Sequence, residues 1–318
     1  MLNITALTKM DLTYLQEHLP EDLKNTVSLK QFPTAEEAGD RLASTDILLT
    51  SGAFQDDWLP QMPKLRWFQT LSAGVDKLPL QKLEAKGIQV TNMSGVHSIQ
   101  MSEYALSVML DFVRRTHTLL ENQKHKEWNH RIRTGELHGQ TLGIIGTGAI
   151  GSEVARKAKA FDMKVIGYSR SGRDKDHFDE VRKGTGGLQS LLRESDFVVV
   201  IVPATSETEN LIGAGELALM KPSAFLVNMA RGSVIDETAL IEALRQGTLA
   251  GAALDVFQEE PLPVDSPLWE MEQVAVTPHI AGNTPKYVER CAEILFPNIR
   301  LFIENKPLIN RIDPGHGY

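Results

Sequence analysis

The sequence has little of several features that would assign it to a special class of protein. Its one cysteine, Cys291, excludes a disulfide within the chain, and the surrounding VERCAEIL predicts a helix with a buried thiol. No apolar stretch approaches the ~18 uninterrupted residues of a membrane span. The N-terminus has no basic start followed by an apolar run. We therefore expect neither a membrane span nor a signal peptide. The expected location is the cytoplasm.

Positive charge is also in the minority. The 33 Lys and Arg residues face 41 Asp and Glu residues, which gives a net charge of −8. A nucleic-acid or anionic-membrane partner is disfavoured, because phosphate binding requires a basic face. No His, Cys, Asp or Glu residues have the spacing of zinc ligands, so we expect no metal site. The chain is otherwise of ordinary globular composition, and its 318 residues are enough for two domains.

Short apolar runs alternate with helical patterns along the chain. This alternation predicts an α/β fold built on mostly parallel sheets. Successive residues of each run are apolar, as expected of strands that are covered on both faces. The predicted strands are residues 3–7, 46–50, 66–71 and 88–93 in a first series, and 141–146, 164–169, 197–203, 224–229, 251–257 and 274–279 in a second.

Longer helical patterns connect the two series. Residues 102–122 predict one helix between them, and residues 285–306 predict another after the last strand. A shorter helix is predicted within AEEAGDRLAS, residues 35–44. We expect the final helix to return the chain to the first series. The predicted organisation is therefore a domain of residues 1–97 and 284–318, interrupted by a second domain of residues 98–283.

A glycine pattern stands between the first strand and the first helix of the second series. In LGIIGTGAIGSEVARKAKAF, Gly146 allows a tight turn, Gly148 allows close backbone approach to a pyrophosphate, and Gly151 allows helix and strand to pack. The amides at the helix start favour the negative ligand. A glycine turn without a ligand and a methyl-donor cofactor are the alternatives. The predicted dinucleotide-binding residues are Gly146, Thr147, Gly148, Ala149, Ile150 and Gly151.

The next strand ends in GYSRSGR, where an acid would bind the ribose 2′-hydroxyl of NAD. Ser169 and Arg170 occupy this place. A hydroxyl and a guanidinium suit a 2′-phosphate, and Arg173 adds a second cation. We therefore expect a preference for NADP, with NAD also possible. The alternative is that both arginines are solvated loop residues beside Asp174 and Asp176.

Three further polar residues follow predicted strands. Arg231 lies in NMARGS, Glu260 in FQEEP and His279 in TPHIAG. Ligands of parallel sheets bind beyond the carboxyl ends of the strands, so these side chains are expected within reach of one another. Taken singly, each has an ordinary explanation: Arg231 as a surface ion pair, Glu260 as a turn residue and His279 as a packed histidine.

The motifs together resemble those of the NAD(P)-dependent D-isomer-specific 2-hydroxyacid dehydrogenases. They are LGIIGTGAIG, NMARGSVIDE, ALDVFQEEPLP, TPHIAGN, LSAGVD (71–76), NMSGVHSIQMSEYAL (92–106) and the closing NRIDPGHGY, which matches one branch. The resemblance covers nearly the whole chain and is greatest to the glyoxylate/hydroxypyruvate reductase-like branch. It implies two doubly wound parallel-sheet domains, a Rossmann-type nucleotide domain inserted in a flavodoxin-like substrate domain.

The resemblance also implies a reaction. A small 2-oxo acid would be reduced reversibly to a D-2-hydroxy acid, with NADPH as the hydride donor. Arg231 resembles the substrate-binding arginine, and His279 resembles the acid/base residue. Glu260 resembles the carboxylate that pairs with this histidine. It is preferred to Glu259 because it directly precedes Pro261.

Other roles rest on the resemblance alone. The loop Ser72, Ala73, Gly74 and Val75 would hold the substrate carboxylate, chiefly through backbone amides. Asp255 would bond the nicotinamide carboxamide, and Pro203 and Ala230 would line the cofactor cleft with Thr147. The family also implies a homodimer. The alternatives are a non-catalytic NAD(P)(H)-sensing scaffold of the same fold, and a relative that oxidises formate or phosphite.

Overall fold

The structure is a computed structural model that describes residues 1–75 and 78–313. Asp76 of the LSAGVD motif and the PGHGY end of NRIDPGHGY therefore lie outside the described residues. The chain divides into two compact units. The first unit comprises Met1–Val96 and Thr284–Tyr318, and the second unit comprises His97–Asn283.

The first unit is built on a five-stranded parallel sheet of order β2-β1-β3-β4-β5. Its strands are β1 (Leu2–Leu7), β2 (Val27–Phe32), β3 (Ile47–Thr50), β4 (Trp67–Thr70) and β5 (Gln89–Thr91). Its helices before the second unit are α1 (Thr13–Glu17), α2 (Glu21–Lys24), α3 (Ala35–Ala38) and α4 (Leu80–Ala85), with 3₁₀ turns at Gly39–Ser44 and Asp56–Gln61. The strand order reverses between β1 and β3, as in a doubly wound sheet.

The second unit is built on a seven-stranded parallel sheet of order β12-β11-β10-β9-β6-β7-β8. Its strands are β6 (Thr141–Ile145), β7 (Lys164–Tyr168), β8 (Glu180–Arg182), β9 (Phe197–Val200), β10 (Phe225–Asn228), β11 (Gly251–Leu254) and β12 (Val274–Val276). Its helices are α5 (Ser98–Arg114), α6 (Thr116–His125), α7 (Ala149–Lys159), α8 (Gly184–Glu194), α9 (Ala214–Leu217) and α10 (Glu237–Arg245), with 3₁₀ turns at Gly232–Val234 and Pro267–Glu270. The order reverses between β6 and β9, which is the Rossmann arrangement.

The chain then returns to the first unit through α11 (Tyr287–Ile303). Successive residues of β3 enter different cores: Ile47 and Leu49 join the cluster that contains α11 residues, whereas Leu48 joins the opposite cluster. The second unit likewise has two apolar clusters. The prediction of parallel strands covered on both faces is confirmed, and so is the buried thiol of Cys291.

Several predicted elements need correction. Strands β2 and β8 were not predicted, because each lies at a sheet edge, is only partly covered, and carries polar residues instead of an apolar run. The helix expected over 102–122 is two helices, since Arg115 adopts a left-handed φ of 56° between them. AEEAGDRLAS is one α-helical turn followed by a 3₁₀ turn. No helix within the described ranges has both the length and the apolar character needed to cross a membrane.

Candidate active site

Three neighbouring strands of the second unit deliver the predicted catalytic side chains. Arg231 follows β10, Glu260 follows β11 and His279 follows β12. Because β11 pairs in parallel with both β10 and β12, the three strands end at the same edge of the sheet. The sheet order thus collects residues that are far apart in sequence.

Glu260 and His279 form an ion pair at this edge. The Oε2 atom of Glu260 lies 2.8 Å from Nδ1 of His279, and Oε1 accepts a hydrogen bond of 3.1 Å from the Phe257 amide. A carboxylate only accepts, so Nδ1 carries its proton and Nε2 is left for exchange with a substrate. The acid that contacts His279 in the structure is Glu260, the residue preferred to Glu259 from the sequence.

The pKa of the Glu260 carboxyl lies below its ordinary value of 4.5. Burial acts to raise it, but the hydrogen bonds from His279 and Phe257 and the charges of His279 and Arg231 outweigh that effect. Glu260 is therefore ionised at neutral pH. The charge of Arg231 is among the causes that lower the pKa of this carboxyl, which is consistent with a position of Arg231 near the pair.

The turn that carries Arg231 is shaped by Asn228 and Gly232. The side chain of buried Asn228 accepts from the Ala230 amide at 3.1 Å and donates to the Arg231 carbonyl at 3.1 Å. A Cβ on Gly232 would stand 2.0 Å from the carbonyl carbon and oxygen of Phe257. Only glycine allows the Arg231 turn to pack directly on the segment that leads to Glu260. Asn228 was not predicted as a functional residue, although it stands near the end of the predicted strand 224–229.

The histidine loop, residues 277–281, has an unusual backbone. His279 has a left-handed φ of 54°, a conformation that costs a residue with a side chain roughly 1–2 kcal/mol. The His279 amide donates to the Asp255 carbonyl at 2.9 Å. The Asp255 carboxylate accepts from the Ile280 and Ala281 amides, both at 2.9 Å, and from Thr277 Oγ1 at 2.6 Å. Asp255 thus fixes this loop from within the protein, and a bond to a nicotinamide carboxamide stays a prediction.

The glycine-rich loop fits a bound pyrophosphate. Gly146 has a φ of 115°, and a Cβ on Gly151 would stand 1.9 Å from the Gly146 carbonyl oxygen. Both positions therefore require glycine. Apart from its chain neighbours, no atom within the described ranges lies within 4 Å of where a Cβ of Gly148 would stand, so the backbone there is open to a ligand. Ala149 and Ile150 begin α7, whose first amides have no partner within the helix, and Thr147 is buried beneath the turn.

The specificity loop, residues 169–173, follows β7. Ser169 Oγ accepts from the Gly172 amide at 3.1 Å, which closes the loop on itself. Arg170 is exposed, and its Nη1 atom lies 3.9 Å from Oε2 of Glu207. Glu207 comes from a distant part of the sequence and was not predicted. A guanidinium and a hydroxyl thus stand at the end of β7, where a carboxylate would bind a ribose 2′-hydroxyl.

Pro203 and Ala230 follow β9 and β10. The Pro203 carbonyl accepts from Thr208 Oγ1 at 2.7 Å. Buried Ala230 accepts at its carbonyl from Nη1 of Arg231, at 2.7 Å. Their contacts with a cofactor stay predictions.

The loop of residues 72–75 lies in the first unit, after β4. Ser72 Oγ donates to the Gly74 carbonyl, and Asn92 Nδ2 donates to the Ala73 carbonyl, both at 2.7 Å. These bonds fix the peptide planes. Within residues 1–75 and 78–313, none accepts a hydrogen bond from the amides of Ala73, Gly74 or Val75. The loop therefore presents amide donors that suit a carboxylate.

A metal site has no support in the part of the chain that the structure describes. No three His, Cys, Asp or Glu side chains there lie close enough together to hold an ion.

Comparison with known proteins identifies the family. A sequence profile of the NAD binding domain of D-isomer specific 2-hydroxyacid dehydrogenases matches residues 106–281. The chain belongs to this family. A glyoxylate reductase of Aeropyrum pernix is 40% identical to this 2-hydroxyacid dehydrogenase over 269 residues, which are 80% of this chain and 79% of that protein.

Solved structures of the family agree with this fold. A family protein from Aeromonas salmonicida subsp. salmonicida A449 has a TM-score of 0.84 at 35% identity, and the match covers 98% of this chain and 99% of that one. A family member from Xanthobacter autotrophicus Py2, solved with NADPH and MES, has a TM-score of 0.83 at 29% identity, with 99% of both chains covered. This dehydrogenase is thus an NAD(P)-dependent oxidoreductase of 2-hydroxy and 2-oxo acids, with two parallel-sheet α/β domains.

Proposed function

We propose that this enzyme reduces a small 2-oxo acid, with glyoxylate as the first candidate, to the corresponding D-2-hydroxy acid, and that it prefers NADPH. The observation that carries the proposal is the 2.8 Å pair of Glu260 and His279 within the electrostatic reach of Arg231. A glyoxylate reductase is the relative at 40% identity, which supports the choice of a small substrate.

The three side chains have complementary roles in this proposal. Arg231 presents a planar fork of donors to the carboxylate and carbonyl oxygen of the substrate. His279 gives the proton of Nε2 to the carbonyl oxygen, so that the product is an alcohol and the ring is left neutral. Glu260 stabilises the imidazolium before this transfer and keeps the ring oriented. When bound, NADPH supplies the hydride that the carbonyl carbon receives.

A separate part of the proposal concerns the loop of residues 72–75 in the first unit. The amides of Ala73, Gly74 and Val75 bind the substrate carboxylate, and the internal bonds of Ser72 keep them in place. In the second unit, Asp255, Pro203 and Ala230 lie after neighbouring strands, which supports their assignment to the nicotinamide side of the cofactor. The 2′-phosphate is assigned to Ser169 and Arg170.

Exposed apolar residues support a homodimer. Leu119 and Leu120 on α6 are about half exposed, and Trp128, which follows this helix, is 94% exposed. Large apolar side chains exposed on and just after one helix are candidates for an interface. Light scattering of the purified protein should give twice the mass of 35.3 kDa. A Leu120→Lys, Trp128→Ala variant should give the single mass, and an unchanged mass would remove this face from consideration.

The function is tested by following NADPH and NADH absorbance with the purified enzyme. The substrates are a series of 2-oxo acids from glyoxylate to phenylpyruvate, with formate and phosphite assayed in the oxidative direction. Turnover of glyoxylate that is faster with NADPH supports the whole proposal. Equal or faster turnover with NADH would overturn the assignment of Ser169 and Arg170. Tight cofactor binding without turnover of any substrate would instead favour a sensing scaffold.

A further inference from the structure

The left-handed conformation of His279 needs a restraint, because a residue with a side chain does not favour it. Beside the bond from the His279 amide to the Asp255 carbonyl and the pair with Glu260, one carboxylate restrains the backbone around His279. Asp255 accepts from the two amides that follow His279 and from the hydroxyl of Thr277, on the other side of it. The orientation of the histidine ring therefore depends on the orientation of Asp255.

Asp255 is 2% exposed, and the three donors to its carboxylate are an uncharged hydroxyl and two uncharged amides. A buried carboxylate held in this way depends on each of its hydrogen bonds, because the loss of one leaves charge uncompensated. The two amides belong to the loop that has to be held. Thr277 belongs to the same loop, but its hydroxyl also contacts a side chain outside the loop.

The Thr277 hydroxyl has a second partner. Its Oγ1 lies 2.8 Å from the hydroxyl of Tyr104. Since Thr277 gives its only proton to Asp255, Tyr104 is the donor in this contact. Burial, reinforced by the charge of Asp255, raises the pKa of Tyr104 to about 12, so the phenol keeps its proton.

Tyr104 stands on a firmly held helix. Its helix, α5, is fixed by a 2.8 Å hydrogen bond from Lys157 Nζ to Ser102 Oγ. Near the other end of α5, Phe112 stacks on Phe225 of the β10 strand, with ring centroids 4.3 Å apart. A chain of hydrogen bonds thus runs from a rigid helix through Thr277 to Asp255 and the backbone of the histidine loop.

We propose that Tyr104 and Thr277 are positioning residues, which hold Asp255 and through it fix His279 for proton transfer. This inference adds to the proposed function and rests on its assignment of His279 as the acid. Neither hydroxyl is assigned a contact with substrate. Loss of either is expected to slow the chemical step and to leave cofactor binding intact.

The test uses variants that separate the hydroxyl from side-chain volume. Thr277→Val removes the hydroxyl and keeps the shape, whereas Thr277→Ser keeps the hydroxyl and removes a methyl group. Tyr104→Phe removes the other oxygen, and Tyr14→Phe on α1, in the first unit, is its matched control. Each full-length variant is assayed for glyoxylate reduction, for NADPH affinity and for backbone hydrogen exchange of residues 274–283.

We expect Thr277→Val and Tyr104→Phe each to lower kcat about tenfold, with the NADPH dissociation constant changed less than about twofold, because a small displacement of a catalytic group is costly. The amides of Ile280 and Ala281 should exchange about tenfold faster in both variants, and Thr277→Ser and Tyr14→Phe should stay within about twofold of wild type. The double variant Tyr104→Phe, Thr277→Val should have a kcat no lower than that of Thr277→Val, because both changes interrupt the same series of hydrogen bonds.

Unchanged exchange in Thr277→Val would overturn the inference. So would a Thr277→Ser variant as slow as Thr277→Val, or a fall in NADPH affinity that matches the fall in kcat. A wild-type enzyme that reduces no 2-oxo acid would refute the proposed function instead. The exchange comparison requires no turnover, so it would still decide whether the chain of hydrogen bonds holds the loop.

Discussion

The histidine loop and the specificity loop, both in the second unit, are held in very different ways. The first is fixed by a buried carboxylate and by the ion pair of His279 with Glu260. The second is closed by uncharged bonds from Gly172 to Ser169 and from Arg173 to Ser171, and presents an exposed Arg170. Proton transfer to the substrate requires a fixed position of the histidine, whereas a 2′-phosphate can be bound by a cation on a flexible side chain. Substitutions in the two loops should therefore differ in size and in the kinetic constant that they change.

The largest effect is expected at His279. His279→Gln keeps a polar side chain but removes the acid, so kcat for glyoxylate reduction should fall by about 10²–10⁴. NADPH binding, measured by fluorescence titration, should be nearly unchanged. A kcat within about tenfold of wild type would mean that another group supplies the proton.

Gly232→Ala should disturb the candidate active site through the backbone. The new Cβ would meet the Phe257 carbonyl at 2.0 Å, so the Arg231 turn and the Glu260 segment have to separate. We expect kcat/KM to fall by about a hundredfold, with a loss of several degrees in Tm. Gly215→Ala is the matched control, because no described atom beyond its chain neighbours and its own helix backbone would lie within 4 Å of the new Cβ. Equal behaviour of the two variants would show that the close packing is not required.

Glu260→Gln tests the ion pair, and Glu259→Gln is its neighbour control. Loss of a charged hydrogen bond should lower kcat by about tenfold to a hundredfold at Glu260, and by less than about twofold at Glu259. Reversed effects would transfer the role to Glu259.

The thermal stability of wild type relative to Glu260→Gln should depend on pH. The folded pKa of Glu260 lies below 4.5, so its stabilising contribution is present above that pH and is lost as the pH falls through the lowered value. Because Glu260 is about a third exposed, the advantage of wild type over Glu260→Gln should be no more than about 1 kcal/mol at pH 7. Melting curves should show this advantage of wild type at pH 7 and no advantage at pH 3. An advantage that grows towards acid pH would contradict the ionised assignment.

At the specificity loop, the affected constant should be KM for the cofactor. Ser169→Asp combined with Arg170→Ala should raise the NADPH KM by about tenfold or more, through lost charged hydrogen bonds and added repulsion. The NADH KM and both kcat values should change little. Equal changes with both cofactors would identify these residues as loop structure without a role in discrimination.

The smallest effect is expected at Glu207, which stands 3.9 Å from Arg170 and competes for its charge. Glu207→Gln should lower the NADPH KM by about twofold to threefold, as befits an exposed pair. The NADH KM is the internal control. A higher NADPH KM would show that Glu207 instead holds Arg170 in place.

Local patterns in the sequence determined a great deal about this protein. The alternation of apolar runs and helices predicts two parallel sheets, and the spacing of Gly146, Gly148 and Gly151 predicts the phosphate loop, because both depend on neighbours along the chain. The motifs that contain Arg231, Glu260 and His279 predict the family. The edge strands β2 and β8 escape prediction because partial covering leaves no apolar signal.

Only the tertiary structure decided which of these groups meet. The order β12-β11-β10 brings the ends of three strands together, and the 2.8 Å contact selects Glu260 as the partner of His279. The contacts of Thr277 with Tyr104 and of Arg170 with Glu207 join residues that no local pattern connects. Periodicity reports which face of an element is buried, whereas hydrogen bonds and ion pairs depend on distances set by strand order and packing.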